Sequence, residues 1–307
     1  MCGERMMWLW ILMGCSGGLE VDDWVPTDSG PERDEVVEPA LEADGLEGPS
    51  GLALWRGEIF VAEEDGGRVQ SVDTREIWVE GLDGPTWLEP TEWGLVIADG
   101  AAGELWLLDD SGDLVLLSSG HTALGRIRAD GADLWWLDPD EGELWFVTLP
   151  SGQAALMAED LQTPVGLSLV EGRPWILEQD SKELTEFDPD TGSATMLLEL
   201  DDPPHDLVTE GSQAFITTRS TRWPYGGFIL AMDDDGVEEI SYSPPEPERI
   251  EVGESHVYWA SKQSITRVSR EGGTYELVAG MTAVEDFILV EDGIVWTDGQ
   301  AGEVRSW

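Results

Sequence analysis

The 307-residue sequence predicts an all-β fold, a seven-bladed β-propeller built from four-stranded blades. Three observations lead there. The apolar runs are short and rich in Val, Ile, Leu, Trp and Phe, which is strand chemistry, and no long stretch keeps a helical apolar period. Gly (36) and Pro (17) interrupt the chain too often for long helices, while 41% hydrophobic residues and 16 Trp supply a real core. Above all, one pattern restarts near Pro49, Pro85, Leu124, Pro164, Pro204, Pro247 and Val284, at spacings of 36 to 43 residues. A period near that length with four strands per unit marks a propeller, in which sheets that cannot bury both faces alone stack in a ring.

Each element can be read in order. The first repeat runs from Pro49 to Leu54, turns at Arg56-Gly57, continues through 58–62, loops at 63–67, and adds strands at 68–73 and 76–79. The second strands align as EIFVAE (58–63), GLVIAD (94–99), DLWWLD (133–138), RPWILE (173–178), QAFITT (213–218), HVYWAS (256–261) and GIVWTD (293–298). The third strands align as ELWLLD (104–109), ELWFVT (143–148), ELTEFD (183–188), GFILAM (227–232), SITRVS (264–269) and EVRSW (303–307). The seventh repeat reaches Trp307 with only three strands, which would leave an open edge. Residues 34–42 have the character of the fourth strands at 114–117 and 194–198, so they are expected to complete blade seven, with Pro39 tolerable on an edge strand. Six blades with one decayed repeat is the alternative.

The charge narrows the partners. With 16 Lys and Arg against 64 Asp and Glu, the net charge is −48, which repels nucleic acid and anionic lipid head groups. Such a surface attracts divalent cations or a basic partner, or simply keeps a monomer soluble, including at high salt. Acidic turns such as 138–142, 188–192 and 233–236 lack the ligand spacing of a calcium hand; Asp-x-x-Gly is ordinary turn chemistry. Neither a metal site nor a cofactor is expected, beyond weak surface Ca²⁺ binding.

The first 15 residues read as an address. Arg5 gives a positive start, Met6 to Met13 form an apolar stretch too short to span a bilayer, and Leu12-Met13-Gly14-Cys15 follows. That run resembles the lipobox of bacterial lipoproteins. The resemblance implies a signal peptide over 1–14, lipid attachment at Cys15 and a cell-envelope location, with Ser16 favouring the outer membrane. Residues 15–33 mix Gly, Ser, Pro and acids as an acidic flexible tether, and the propeller is expected over 34–307. Cys2 would leave with the signal, so the mature chain would hold no disulfide.

Within the repeats, Pro49-Ser50-Gly51-Leu52-Ala53 and Pro164-Val165-Gly166-Leu167-Ser168 resemble NHL-type propellers. Trp296-Thr297-Asp298, and more loosely Tyr258-Trp259-Ala260, resemble YWTD repeats, and 257–273 looks like the (TolB-like) propeller lipoproteins of unknown function. These resemblances imply architecture, because the fold hosts binders and enzymes alike. Gluconolactonases of the senescence-marker type hold a divalent metal with Glu, Asp and Asn; this chain has no Asn. Streptogramin lyases of the virginiamycin type are seven-bladed and use a His at the head of an inner strand, a position that Pro204-His205-Asp206 resembles.

Alignment of the repeats puts Gly51, Trp87, Arg126, Gly166, Asp206, Arg249 and Asp286 near the channel, with Ser50, Thr86, His205, Glu248 and Glu285 at its mouth. The Arg and Asp could form a polar ring holding water, or Arg126 or Arg249 could pair a ligand carboxylate, with Trp87 a further ligand-binding candidate. Blade five carries the long loop 219–226, with Arg219, Arg222, Trp223 and Tyr225 as contact anchors. The favoured reading is a non-catalytic binding or scaffold module recognising an envelope protein, peptide, glycan or small ligand. The alternative is a hydrolase or lyase at the channel mouth using His205, Asp206 and Glu248.

Overall fold

The computed structural model describes residues 39–221, 226–243, 246–280, 283–291 and 293–307. These form seven four-stranded antiparallel sheets, the seven blades of a β-propeller, with no helix among the described residues. Blades one to six begin with the strands Pro49–Trp55, Pro85–Thr91, Ile127–Asp130, Pro164–Val170, Pro204–Glu210 and Arg249–Val252, and blade seven with Val284–Val290. Each innermost strand packs on the innermost strand of the next blade, and that of blade seven packs back on that of blade one. The ring is therefore closed, and the count is seven rather than six.

Closure is made by a strand from the N-terminal side. Ala40–Ala43 pairs antiparallel with Glu303–Ser306 and supplies the outer strand of blade seven. Of the expected segment 34–42, residues 34–38 lie outside the described residues, as do the proposed signal peptide and tether with Cys15. The seam carries further bonds: Leu46 N–H donates to the Gly302 carbonyl (3.0 Å), Ser306 Oγ to Glu42 (2.5 Å), and Thr297 Oγ1 to the Ser50 carbonyl (3.0 Å). Gly302 sits at φ +68°, and a Cβ there would lie 2.6 Å from the Leu46 carbonyl oxygen, so the junction requires glycine.

The core is distributed. Seven clusters of buried side chains each lie between two adjacent blades, such as Phe60, Val69 and Val79 of blade one with Leu88, Leu95 and Ile97 of blade two. The alternation of the second strands explains this, since its apolar residues face both neighbouring sheets. The fourth residue of those strands is fully buried as Trp136, Trp259 and Trp296 in blades three, six and seven. Burying a side chain of this size contributes about 1.5–3 kcal/mol, so each interface is independently worthwhile.

Acids at the ends of the second strands do a job that strand periodicity does not announce. Glu63, Asp99, Asp138 and Glu178 are all buried. They accept the backbone N–H of Glu47 (2.6 Å), Asp83 (2.9 Å), Thr122 (3.0 Å) and Gln162 (2.6 Å), each 16 residues earlier in the chain. The carboxylate thus clamps the segment leading into its own blade. In blade five the polarity is reversed: Thr218 stands where the other blades have the acid, the strand runs on to Arg219, and Asp202 accepts from the Thr221 N–H at 2.8 Å.

Deleting residues 1–44 is expected to lower the melting temperature by roughly 5–10 °C and to promote association through the bared edge. Thermal melts and sedimentation of the shortened chain check this; an unchanged melt in a monomer contradicts the closure.

Candidate channel site

A β-bulge at the start of several innermost strands sets the site. In blade five the register shifts between Pro204 and Asp206, and in blade two between Pro85 and Trp87. The bulge aims successive residues at different targets: Asp206 is 1% exposed in the channel, while His205 is half-buried at its mouth. The aligned channel positions do meet. Arg126 of blade three ion-pairs with Asp206 of blade five across blade four, where the corresponding residue is Gly166. Arg249 of blade six pairs with Asp286 of blade seven at 2.8 Å. The Trp87 ring of blade two carries both guanidinium groups, with carbon-to-centroid distances of 4.6 Å for Arg126 and 4.4 Å for Arg249.

These aspartates also stitch blades together. Asp206 accepts the Leu207 N–H (2.8 Å) and the Ile250 N–H of blade six (3.1 Å). Asp286 accepts the Phe287 N–H (2.6 Å) and the Leu52 N–H of blade one (2.8 Å). Burial raises the Asp286 carboxyl above the ordinary carboxylate range, opposed by Arg249. Burial also lowers Arg126 to about 10, with Asp206 opposing. Arg126 is thereby paired with Asp206 and Arg249 with Asp286, and both aspartates also hold the backbone. The four form a polar ring across the channel, in which Arg249 Nε is left without a hydrogen-bond partner among the described residues.

The ring lies between two cavities that share Trp87 and Arg249. At the mouth where the innermost strands begin, about 250 Å³ is bounded by Thr86, Leu124, Gly125, Arg126 and Val165. On the other side lies a larger space of about 540 Å³, touched by all seven innermost strands. Sequence reasoning placed ligand chemistry at the first mouth and missed the second space. Its signal was the polar pattern Glu89, Arg128 and Glu251 further along those strands, which alternation alone does not rank.

At the first mouth, His205 Nε2 lies 2.7 Å from Glu246 Oε1, and Arg219 Nε lies 3.4 Å from the same oxygen. Glu248 is 3.8 Å from Lys262 Nζ, and burial raises its carboxyl, opposed by Lys262 and His205. His205, Glu248 and Arg219 therefore share one rim, whereas Asp206 is turned away into the channel. Arg222, Trp223 and Tyr225 lie outside the described residues. The remaining histidines are elsewhere. His121 is packed edge-on against Trp136 and Trp145, its basicity lowered by burial despite Asp138 at 3.6 Å. His256 opens the second strand of blade six. Among the described residues no three His, Cys, Asp or Glu side chains gather as a metal site. Turn acids bond their own backbone, as Asp188 does to Asp190 and Thr191.

Replacing Arg126 by Met should destabilise the fold by about 3–5 kcal/mol, because Asp206 stays buried without its partner. Adding Asp206→Asn should restore part of that loss in urea unfolding. Equal stability of wild type and R126M would rule out a structural role for the pair.

A pH dependence follows as well. Burial raises Asp99, Glu178, Glu89, Glu251 and Asp286 above ordinary values of 3.8 for Asp and 4.5 for Glu. These groups hold protons more tightly folded than unfolded. Their stabilisation is full below the ordinary values and is lost as pH rises through the raised ones. His121, lowered by burial, acts in the opposite sense as pH falls below its ordinary 6.5, but it is one group against five. The melting temperature of His121→Gln should therefore be higher near pH 5 than near pH 7.5, and a flat or inverted profile in that variant would contradict the assignment.

No protein-family model and no curated protein matches the chain. Solved structures of similar fold do. A streptogramin B lyase superposes with a TM-score of 0.73 at 14% identity, over 88% of this chain and 96% of that one. A catalytically inactive virginiamycin B lyase from Staphylococcus aureus, solved with quinupristin, gives 0.73 at 12% identity, over 88% and 97%. Hydrazine synthase of Kuenenia stuttgartiensis gives 0.69 at 12% identity, over 86% and 96%. At such identities the likeness is one of fold: this chain is a seven-bladed β-propeller similar in architecture to streptogramin B lyase.

Proposed function

We propose that the chain is a lipid-anchored envelope protein, attached through Cys15, that binds a basic segment of a partner at the His205 rim of its propeller. The supporting observation is the charge arrangement there. Glu246 and Glu248 stand beside His205, and Glu285 acts on Glu248 electrostatically, while the channel guanidinium groups behind them are held by Asp206 and Asp286. Arg219 and Lys262 stand off these carboxylates at 3.4 and 3.8 Å, contacts that a basic segment could take over, while the ring below stays occupied with itself. The net charge of −48 draws a basic partner toward any face and speeds its encounter. The NHL- and YWTD-like repeats fit a binder, as do Trp223 and Tyr225 as aromatic contact anchors, while Arg222 is a like charge to a basic segment.

A second reading has one observation in its favour. Glu246 lies against the imidazole of His205 at 2.7 Å, as an orienting carboxylate does for a general base, and the lyases named above share the fold. On that reading the chain eliminates or hydrolyses a cyclic ester at the same rim.

Full-length protein in a bacterial host should incorporate labelled palmitate, and Cys15→Ser should abolish it. A lysine-rich peptide titrated onto the protein should bind more weakly with rising salt, and Glu246→Gln with Glu248→Gln should weaken it about tenfold. Unlabelled wild-type protein defeats the anchor; peptide affinity indifferent to both substitutions defeats the binding site. Opening of quinupristin by wild type and not by His205→Ala would establish the second reading instead.

A further inference from the structure

The larger cavity lies beyond the Arg–Asp ring, away from the His205 rim, and its charges do not balance. Its walls carry three carboxylates, Glu89, Glu251 and Asp286, and two guanidinium groups, Arg128 and Arg249. Two of those acids are matched. Asp286 has Arg249 at 2.8 Å and two backbone N–H donors. Glu89 has Arg128 at 3.7 Å and the Ala129 N–H at 3.2 Å. Arg128 is further held by the Ile127 carbonyl at 3.0 Å. Glu251 is the remainder. It feels Arg128 and Arg249 electrostatically, yet among the described residues it makes no hydrogen bond or ion pair.

A carboxyl group half-buried in a low-dielectric cavity without a donor is costly unless something cationic meets it or it keeps its proton. Apart from Ser168 and Thr209, whose hydroxyls bond each other at 2.6 Å, the rest of the wall is mainly apolar, with Leu52, Leu54, Val208, Val252, Ile288 and Leu289. The volume of about 540 Å³ falls within the range of small-molecule sites. An inorganic divalent ion would leave the apolar walls unused, and no second free acid stands ready to share its charge. A carboxylate ligand would meet Glu251 as a like charge. Although Arg249 Nε has no hydrogen-bond partner among the described residues, the Arg249 and Arg128 guanidinium charges are already countered by Asp286 and Glu89.

The geometry points to a small-molecule site in this cavity for a primary organic ammonium ion with an apolar body, with Glu251 as its counter-ion. Glu251 accepts the ammonium hydrogen bonds, and the branched side chains of blades one, five, six and seven enclose the hydrocarbon. This site is separate from the rim proposed above, and it stands or falls without that reading.

The probe is hexylammonium chloride, titrated calorimetrically into the full chain, with hexanoate and hexanol as controls. Saturable binding of hexylammonium is expected, with hexanoate and hexanol each at least tenfold weaker. Glu251→Gln, which removes the charge and keeps the shape, should weaken hexylammonium at least tenfold. Leu289→Trp, which fills the cavity, should abolish binding, and its melt reports whether the variant folds. Undiminished affinity in E251Q overturns the site. So does hexanoate or hexanol binding as tightly as the amine, saturable binding of Ca²⁺ in its place, or no saturable binding of hexylammonium at all.

Discussion

Everything in this fold depends on closing a ring of sheets, and the closure is held by buried carboxylates accepting backbone N–H groups. A blade has no stable existence alone, because each of its faces is half of an apolar interface. The angle between neighbours must then be fixed without covalent help. Asp206 does so between blades five and six and Asp286 between seven and one, each bonding its own strand and the next. Glu63, Asp99, Asp138 and Glu178 repeat the device farther out, pinning the segments that lead into blades one to four. An ionised acceptor makes a stronger bond than a carbonyl, and at Glu63, Asp138, Asp206 and Asp286 several donors at once offset its desolvation, whereas Asp99 and Glu178 take one backbone donor each and burial raises them.

This changes the meaning of the composition. Sixty-four acids and 16 Lys and Arg suggest a solvated coat, and on much of the surface they are one. Yet a set of these acids is buried and structural, and several have carboxyl groups raised by burial. The scarce cations are used with care: two of the arginines sit in the channel against aspartates and against one tryptophan ring. The interior is thus organised by charge as well as by apolar packing.

The fold was legible because the second strands are nearly pure patterns of Val, Ile, Leu and Trp at a constant period. Their observed limits agree with the alignment at 58–63, 94–99, 133–138, 173–178, 256–261 and 293–298. The channel positions were legible for the same reason, since a repeat fixes equivalent depths. What a repeat does not fix is whom a side chain meets. That Arg126 reaches over blade four to Asp206, that Glu246 rather than Asp206 stands beside His205, and that Glu251 is left over are matters of side-chain reach across the ring. The terminal acids of the second strands were visible in the alignment, but a final Asp or Glu reads equally as a turn residue. Only its partner 16 residues back distinguishes the two roles.

The shared last blade also has a temporal side. Ser306 and Glu42 meet although 264 positions separate them along the polypeptide. During synthesis the strand at 40–43 must wait, without its mate, until residues 303–306 have been made. Six sheets can assemble in order as they emerge, but the seventh forms last, and every earlier stage is an open arc with two unsated flanks. The dense negative charge keeps such arcs apart from one another while they wait, so the same acids that bind the finished circle also guard its unfinished forms.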